Sequence, residues 1–181
     1  MTGRATSLRR VRVVGNSGAG KTWFAARLAA RLDVLHLELD AIFWDAGWTQ
    51  RDPDQARALL AGVLAGPARE GWVADGNWNR RLDGALDDAD AVVWLDYSRW
   101  VVMPRVVRRT VWRALTRRRL WHGNRERLST LLRREPEENI VLWAWTAHDD
   151  YRRHYAEVTA AGAPVIRFGS PRAARRWLAA L

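Results

Sequence analysis

Residues Gly15-Asn16-Ser17-Gly18-Ala19-Gly20-Lys21-Thr22 satisfy every fixed position of the spacing G-x-x-x-x-G-K-[ST], which has meaning only between a strand and a helix. Both neighbours are present. Val11-Arg12-Val13-Val14 is a short β-branched run that reads as a buried strand, and Trp23 to Leu32 reads as a helix. In that setting successive loop amides form a nest for an anion, the positive end of the helix reinforces it, and glycine removes Cβ atoms from the path of a phosphate. Lys21 then supplies a point charge to the β- and γ-phosphates, and the Thr22 hydroxyl suits a magnesium ion. The plainer alternative is a chance glycine-rich turn, which the agreement of pattern and flanking elements disfavours.

Lys21 is also the only lysine among 30 basic residues of the Lys and Arg type. Everywhere else the chain uses arginine. A guanidinium is wide and forked, whereas an ammonium on a slim stem threads a tight loop and meets phosphate oxygens as a compact charge. Position 21 is where that difference matters.

At 181 residues the chain has the length of one domain with a real core, and 48% hydrophobic content fits a folded protein. No second globular unit, repeat or low-complexity tract is expected. No apolar run approaches the roughly 18 residues of a membrane span, and Met1 to Arg10 leads into the first strand without a secretory apolar region. A cytoplasmic protein with no membrane partner is therefore expected. The absence of cysteine excludes disulfides and thiolate metal sites. The formal net charge of +10 points to polyanionic ligands, and nucleotide phosphates, a phosphorylated acceptor and nucleic acid all fit it.

Five strand-like runs are separated by helical stretches: residues 11–14, 34–37, 71–74, 91–95 and 164–168. Asp52-Pro53 and Ser170-Pro171 each place a capping side chain before proline at the first helical position, opening helices to about Ala65 and to Leu181. A basic helix runs from about Ser98 into the 110s, Asn124 is placed to cap another, and Asp149 to Ala161 is helical by composition. Short apolar strands alternating with helices give an α/β fold with a parallel sheet covered on both faces. Ligands of such sheets sit at the carboxyl ends of the strands.

That rule selects Glu38 and Asp40 after the second strand, Asp75-Gly76-Asn77 after the third, and Asp96, Ser98 and Arg99 after the fourth. Asp75 is the candidate carboxylate for holding magnesium with Thr22. Asp40 is the candidate for accepting a proton from an acceptor hydroxyl, or orienting it. Each can equally be a turn residue or a helix cap, the plainer role retained for Glu38 and Asp96. Arg105, Arg109 and Arg113 share a helical face, from which Arg109 and Arg113 are the candidates for stabilising a transferring phosphoryl group. Residues 117–127 read as a mobile lid, within a helical arginine-rich region around 113–135. The simpler reading of most of these arginines is a solvated basic face. Trp94, Trp143, Trp145 and Trp177 read as core, whereas Trp44, Trp48 and Trp78 lie near the acceptor side. The four histidines show no ligand spacing.

With these residues in view, the chain resembles the P-loop kinases related to adenylate kinase, and more closely the small bacterial proteins described as FlaR-like or topology-modulation proteins. The resemblance rests on Gly15 to Thr22, on Leu39-Asp40-Ala41-Ile42-Phe43-Trp44, and on Trp72-Val73-Ala74-Asp75-Gly76-Asn77, and it extends to about Arg119. It implies a three-layer P-loop NTPase of the nucleoside-monophosphate-kinase type, with a five-stranded parallel sheet of order 2-3-1-4-5. It also implies ATP-dependent phosphoryl transfer with Mg²⁺. By the same resemblance Asp75 falls where the Asp-Gly motif begins, and Arg80 or Arg81 contacts the acceptor beside Asp40, Trp44 and Asn77. Asn77-Trp78-Asn79 stands where adenylate kinases carry Phe-Pro-Arg, which argues against AMP as acceptor.

The expected function is thus an ATP-binding kinase acting on a small-molecule acceptor. The alternative is an ATP-hydrolysing regulatory or nucleic-acid-binding protein that lays its basic surface on phosphate backbones. A GTPase switch is disfavoured by the sequence, because the Asn-Lys-x-Asp guanine motif needs a second lysine.

Overall fold

The computed structural model describes residues 8–181, so most of the segment Met1 to Arg10, where no leader was expected, lies outside the described residues. Five strands form one all-parallel sheet: β1 (Arg10–Gly15), β2 (Leu35–Glu38), β3 (Trp72–Asp75), β4 (Ala91–Leu95) and β5 (Val165–Phe168). Their order is β2-β3-β1-β4-β5, as the family resemblance implied. Parallel pairing demands crossovers, and the chain supplies α1 (Lys21–Leu32), α2 (Leu39–Phe43), α3 (Pro53–Ala65), α4 (Asn79–Leu82), α5 (Arg99–Leu115), α6 (Ile140–Ala160) and α7 (Pro171–Ala179). Among the described residues no helix is long and apolar enough to cross a membrane.

Both faces of the sheet are covered, which explains why the central strands read as apolar runs rather than alternating ones. On one face Val11, Val13, Val73, Val93 and Leu95 meet Phe24 and Leu28 of α1, Val102 of α5 and Leu178 of α7. On the other face Leu37, Trp72 and Ala74 pack with Phe43 and Leu60 of α2 and α3, while Val14, Val92 and Trp94 meet Tyr155 of α6. The result is three layers. The two proline-marked helix starts are as expected: the Asp52 side chain accepts from Asp54 N at 3.0 Å and Gln55 N at 3.1 Å, and Ser170 Oγ accepts from Ala173 N at 3.3 Å.

Four expectations need correction. The helix read over Asp149 to Ala161 begins at Ile140, because Asn139 caps it by accepting from Val141 N at 3.1 Å and Leu142 N at 3.2 Å. Trp143 and Trp145 lie on this helix and are not core, being 37% and 51% exposed. Trp94 is buried, and Trp177 stacks on Phe24 within the core. Asn124 caps no α-helix. It is buried, with its amide donating to Asp45 O at 2.7 Å and its Oδ1 accepting from Trp48 N at 2.9 Å. The segment between α5 and α6 contains short 3₁₀ turns at Trp121–Gly123, Leu128–Leu132 and Pro136–Glu138 in place of a regular helix. Left-handed backbone at Arg117 and His122 and the proline at 136 break helical continuity there.

Candidate active site

The glycine loop spans the turn from β1 into α1, with Gly20 in the left-handed region at φ +89° as the residue before the helix. Its glycines serve different ends. A Cβ on Gly15 would lie 2.7 Å from Leu95 O, and one on Gly18 would lie 2.5 Å from Val102 O, so these two let β4 and α5 press against the loop. Among the glycines of the loop, only at Gly20 would a Cβ meet nothing within 4 Å, so the loop is open on that side. Asn16 anchors the loop from below: its amide donates to Ala144 O of α6 at 2.6 Å, and its Oδ1 accepts from Ser17 N at 2.8 Å. Ala19 N closes the turn on Asn16 O at 3.1 Å. The amides that open α1 at Lys21, Thr22 and Trp23 have no intrahelical partner and directly follow the loop.

Lys21 Nζ donates to Asn16 O at 3.2 Å, which folds the side chain back over the loop. Burial lowers its pKa from 10.5 to about 8, against the opposing pull of Asp40 and Asp75, with Arg109 adding to the fall. Thr22 Oγ1 donates to Asp75 Oδ2 at 2.6 Å. The other carboxylate oxygen, Oδ1, lies 2.8 Å from His36 Nε2. Asp75 ends β3 and is only 5% exposed, so it is a buried carboxylate satisfied on both oxygens. Thr22 Oγ1 and Asp75 Oδ2 form a pair of hard oxygen donors at the lip of the loop, a donor set that suits Mg²⁺. His36 was missed by the sequence reading, because its link to Asp75 crosses from β2 to β3 and has no local spacing.

Asp40 lies on α2, where Trp78 Nε1 donates to its Oδ1 at 2.8 Å. Burial, the largest influence, raises its carboxyl above the ordinary range. Trp78 also stacks on Phe43 at 4.8 Å and meets Trp44 edge-on at 5.3 Å, and Trp44 meets Trp48 at 5.7 Å. These rings form an aromatic wall beside Asp40. Asn77 donates to Gly15 O at 2.9 Å and carries a buried Oδ1 without a partner. Of the two arginines after it, Arg81 turns toward this wall, 5.9 Å from the Trp78 ring, whereas Arg80 is exposed on α4.

Arg109 reaches the same region from α5. Burial lowers its pKa, with Arg113 adding to the fall and Glu126 and Asp40 opposing it. Its Nε is buried and unpartnered. Arg113 instead donates to Glu126 Oε1 at 3.0 Å, so it is tied to the segment that follows α5. That segment docks on the acceptor side: Trp121 Nε1 donates to Glu38 Oε2 at 2.9 Å, His122 Nε2 lies 2.9 Å from Ala41 O, and Trp48 Nε1 donates to Arg125 O at 3.1 Å.

A cleft of about 110 Å³ lies on the other side of Gly20, lined by Trp23, Tyr97, Arg105, Pro171 and Arg175. Arg27 and Arg175 flank the Trp23 ring at 4.1 Å and 5.3 Å. Flat aromatic and guanidinium surfaces beside a phosphate loop suit a nucleobase. The sequence reading gave none of these residues a part in binding a base, although Pro171, shortly after the last strand, marks the carboxyl edge.

No protein-family model matches the chain, and no curated protein sequence matches it. Solved structures do. Shikimate kinase from Bacteroides thetaiotaomicron superposes with a TM-score of 0.55 at 16% identity, over 96% of each chain. Shikimate kinase from Acinetobacter baumannii, in complex with shikimate, gives 0.57 at 18% identity, over 96% of this chain and 90% of that one. The chain has the fold of the P-loop kinases. At these identities the likeness is one of architecture, and the P-loop kinase fold places Lys21, Thr22, Asp40 and Asp75 at one sheet edge without naming an acceptor. The narrower resemblance to FlaR-like proteins has no family-model match.

Proposed function

We propose that the protein is an ATP-dependent phosphotransferase that moves the γ-phosphoryl group to a hydroxyl of a small-molecule acceptor in the cytoplasm. The observation that carries this reading is the meeting of Lys21, the Thr22–Asp75 pair and the Trp78-held Asp40 at the carboxyl edge of a P-loop kinase sheet. The loop amides of residues 15–22 and the Lys21 ammonium hold the β- and γ-phosphates, and the base lies in the cleft beside Trp23 and Arg175. Thr22 and Asp75 are the residues that hold Mg²⁺, which when bound draws negative charge off the phosphates.

Asp40 has one oxygen fixed by Trp78, which leaves Oδ2 to accept the proton of an acceptor hydroxyl. A carboxyl above the ordinary range is a better base for that purpose, and Lys21 keeps it within reach of the ionised form. As the acceptor oxygen bonds to the γ-phosphorus, the bond to the β-phosphate oxygen breaks and ADP leaves with the electron pair. Arg109 faces the charge that develops, with Arg113 supporting it from its pairing with Glu126. Trp44 and Asn77 line the acceptor side, and Arg80 or Arg81 meets an acidic group on the acceptor. The solved kinases of this fold include one in complex with shikimate, which supports a small-molecule acceptor.

The test is a panel of hydroxylated metabolites offered to the purified protein with MgATP, scored by ADP release above the acceptor-free rate. Stimulation by one chemical class supports the kinase reading. No stimulation by any acceptor, together with salt-sensitive DNA binding that accelerates ATP hydrolysis, would replace it with the nucleic-acid-linked ATPase.

A further inference from the structure

The Asp75 carboxylate is gripped at both oxygens, yet only Thr22 belongs to the phosphate-binding machinery described so far. The second grip comes from His36 on β2. In the β2–β3 register His36 pairs with Val73 and Glu38 with Asp75, so the imidazole and the carboxylate share one face of the sheet, one step apart along the strands. The contact is 2.8 Å, between a histidine side chain that is 19% exposed and a carboxylate that is 5% exposed. An aspartate has a soft torsion at its carboxylate, and a hydrogen bond to Oδ1 fixes the direction of Oδ2. Here Oδ2 is the oxygen turned to Thr22. The carboxylate oxygen can only accept in this contact, so Nε2 carries its proton.

We infer that His36 is a positioning residue for the metal: its Nε2–H orients the Asp75 carboxylate so that Oδ2 and Thr22 Oγ1 present a ready pair of donors to Mg²⁺. This inference rests on the proposed nucleotide reading and adds a residue that the glycine-loop pattern does not contain. A purely structural histidine would affect folding or nucleotide binding in general. A positioning residue affects only the part of binding that depends on the metal.

The experiment compares His36→Phe and His36→Gln with wild type in calorimetric titrations of a non-hydrolysable ATP analogue, once with excess Mg²⁺ and once with EDTA. Glutamine carries an N–H that reaches close to the Nε2 position, whereas phenylalanine fills the space without a donor. For His36→Phe the enhancement of affinity by Mg²⁺ is expected to fall about tenfold or more, the usual loss when the partner of a metal ligand is removed. Affinity in EDTA is expected to stay within about twofold of wild type, and His36→Gln is expected to recover most of the Mg²⁺ effect. An unchanged Mg²⁺ effect in His36→Phe, or equal losses with and without the metal, overturns the inference. Should His36→Phe not fold, His36→Asn takes its place, its shorter amide falling short of Oδ1; equal behaviour of the Asn and Gln variants would then refute the role. Wild-type protein that binds no analogue at all refutes the nucleotide reading itself, a result distinguishable from an unaltered metal effect.

Discussion

Replacing Lys21 by methionine separates what the ammonium does for a bound phosphate from what it does to the ligand-free fold. Burial pulls the pKa of Lys21 from 10.5 to about 8, and at ~1.4 kcal/mol per unit the charged form is disfavoured in the folded protein by ~3 kcal/mol. Methionine has similar length and no charge, so that penalty disappears. That figure already includes the attraction to Asp40 and Asp75, and against it stands the hydrogen bond from Nζ to Asn16 O, worth ~1 kcal/mol. The net expectation is a ligand-free protein more stable than wild type by ~1–2 kcal/mol near neutral pH, or a melting temperature higher by roughly 2–6 °C.

The pH dependence fixes the cause. Folded Lys21 releases its proton near pH 8 while the unfolded chain keeps it to about 10.5, so between these values the unfolded state binds more protons and wild type gains stability as pH rises. The advantage of Lys21→Met should therefore shrink from pH 7 toward pH 10. Tyr97 and Tyr151, both raised to about 12 by burial, titrate alike in the two proteins and cancel in the difference. Urea denaturation followed by circular dichroism across that range measures it. A variant less stable than wild type at neutral pH, or an advantage independent of pH, would refute the reasoning.

Asp75→Asn keeps a partner for Thr22 but removes the charge that suits Mg²⁺, so ADP release in the presence of an active acceptor should fall about a hundredfold or more, in line with several kcal/mol of lost charge stabilisation. Trp23→Ala opens the cleft between Arg27 and Arg175, and ATP affinity should fall roughly tenfold while tripolyphosphate affinity stays unchanged in competition titrations. Glu126→Ala leaves Arg113 half-buried without its partner, and chemical denaturation should show a loss of about 2–3 kcal/mol.

The phosphate loop and the proline-marked helix starts were legible because each has a local cause: a strand, a glycine turn and a capping side chain are neighbours in sequence. The sheet order came only with the family resemblance. The convergence of Thr22, Asp40 and Asp75 followed from the rule that ligands collect at strand ends. What stayed hidden crosses elements. His36 meets Asp75 through strand pairing, Trp23 joins Arg175 across 150 or so residues of chain, and Asn124 gives its side chain to Asp45 and Trp48 instead of to a helix. Trp143 and Trp145 misled because tryptophan is apolar enough to suggest core, while their helix turns that face to solvent. The arginines of α5 look alike in sequence, and only the structure separates Arg109, buried beside Asp40, from Arg113, tied to Glu126.

The central claim is that the loop amides and one ammonium grip a triphosphate. Calorimetric titration of MgATP into wild type and Lys21→Ala, each checked for folding by circular dichroism, tests it most directly. The account predicts one ATP bound per wild-type chain, displaced by tripolyphosphate, and no measurable binding to the folded variant. Equal affinity in the two proteins would contradict it.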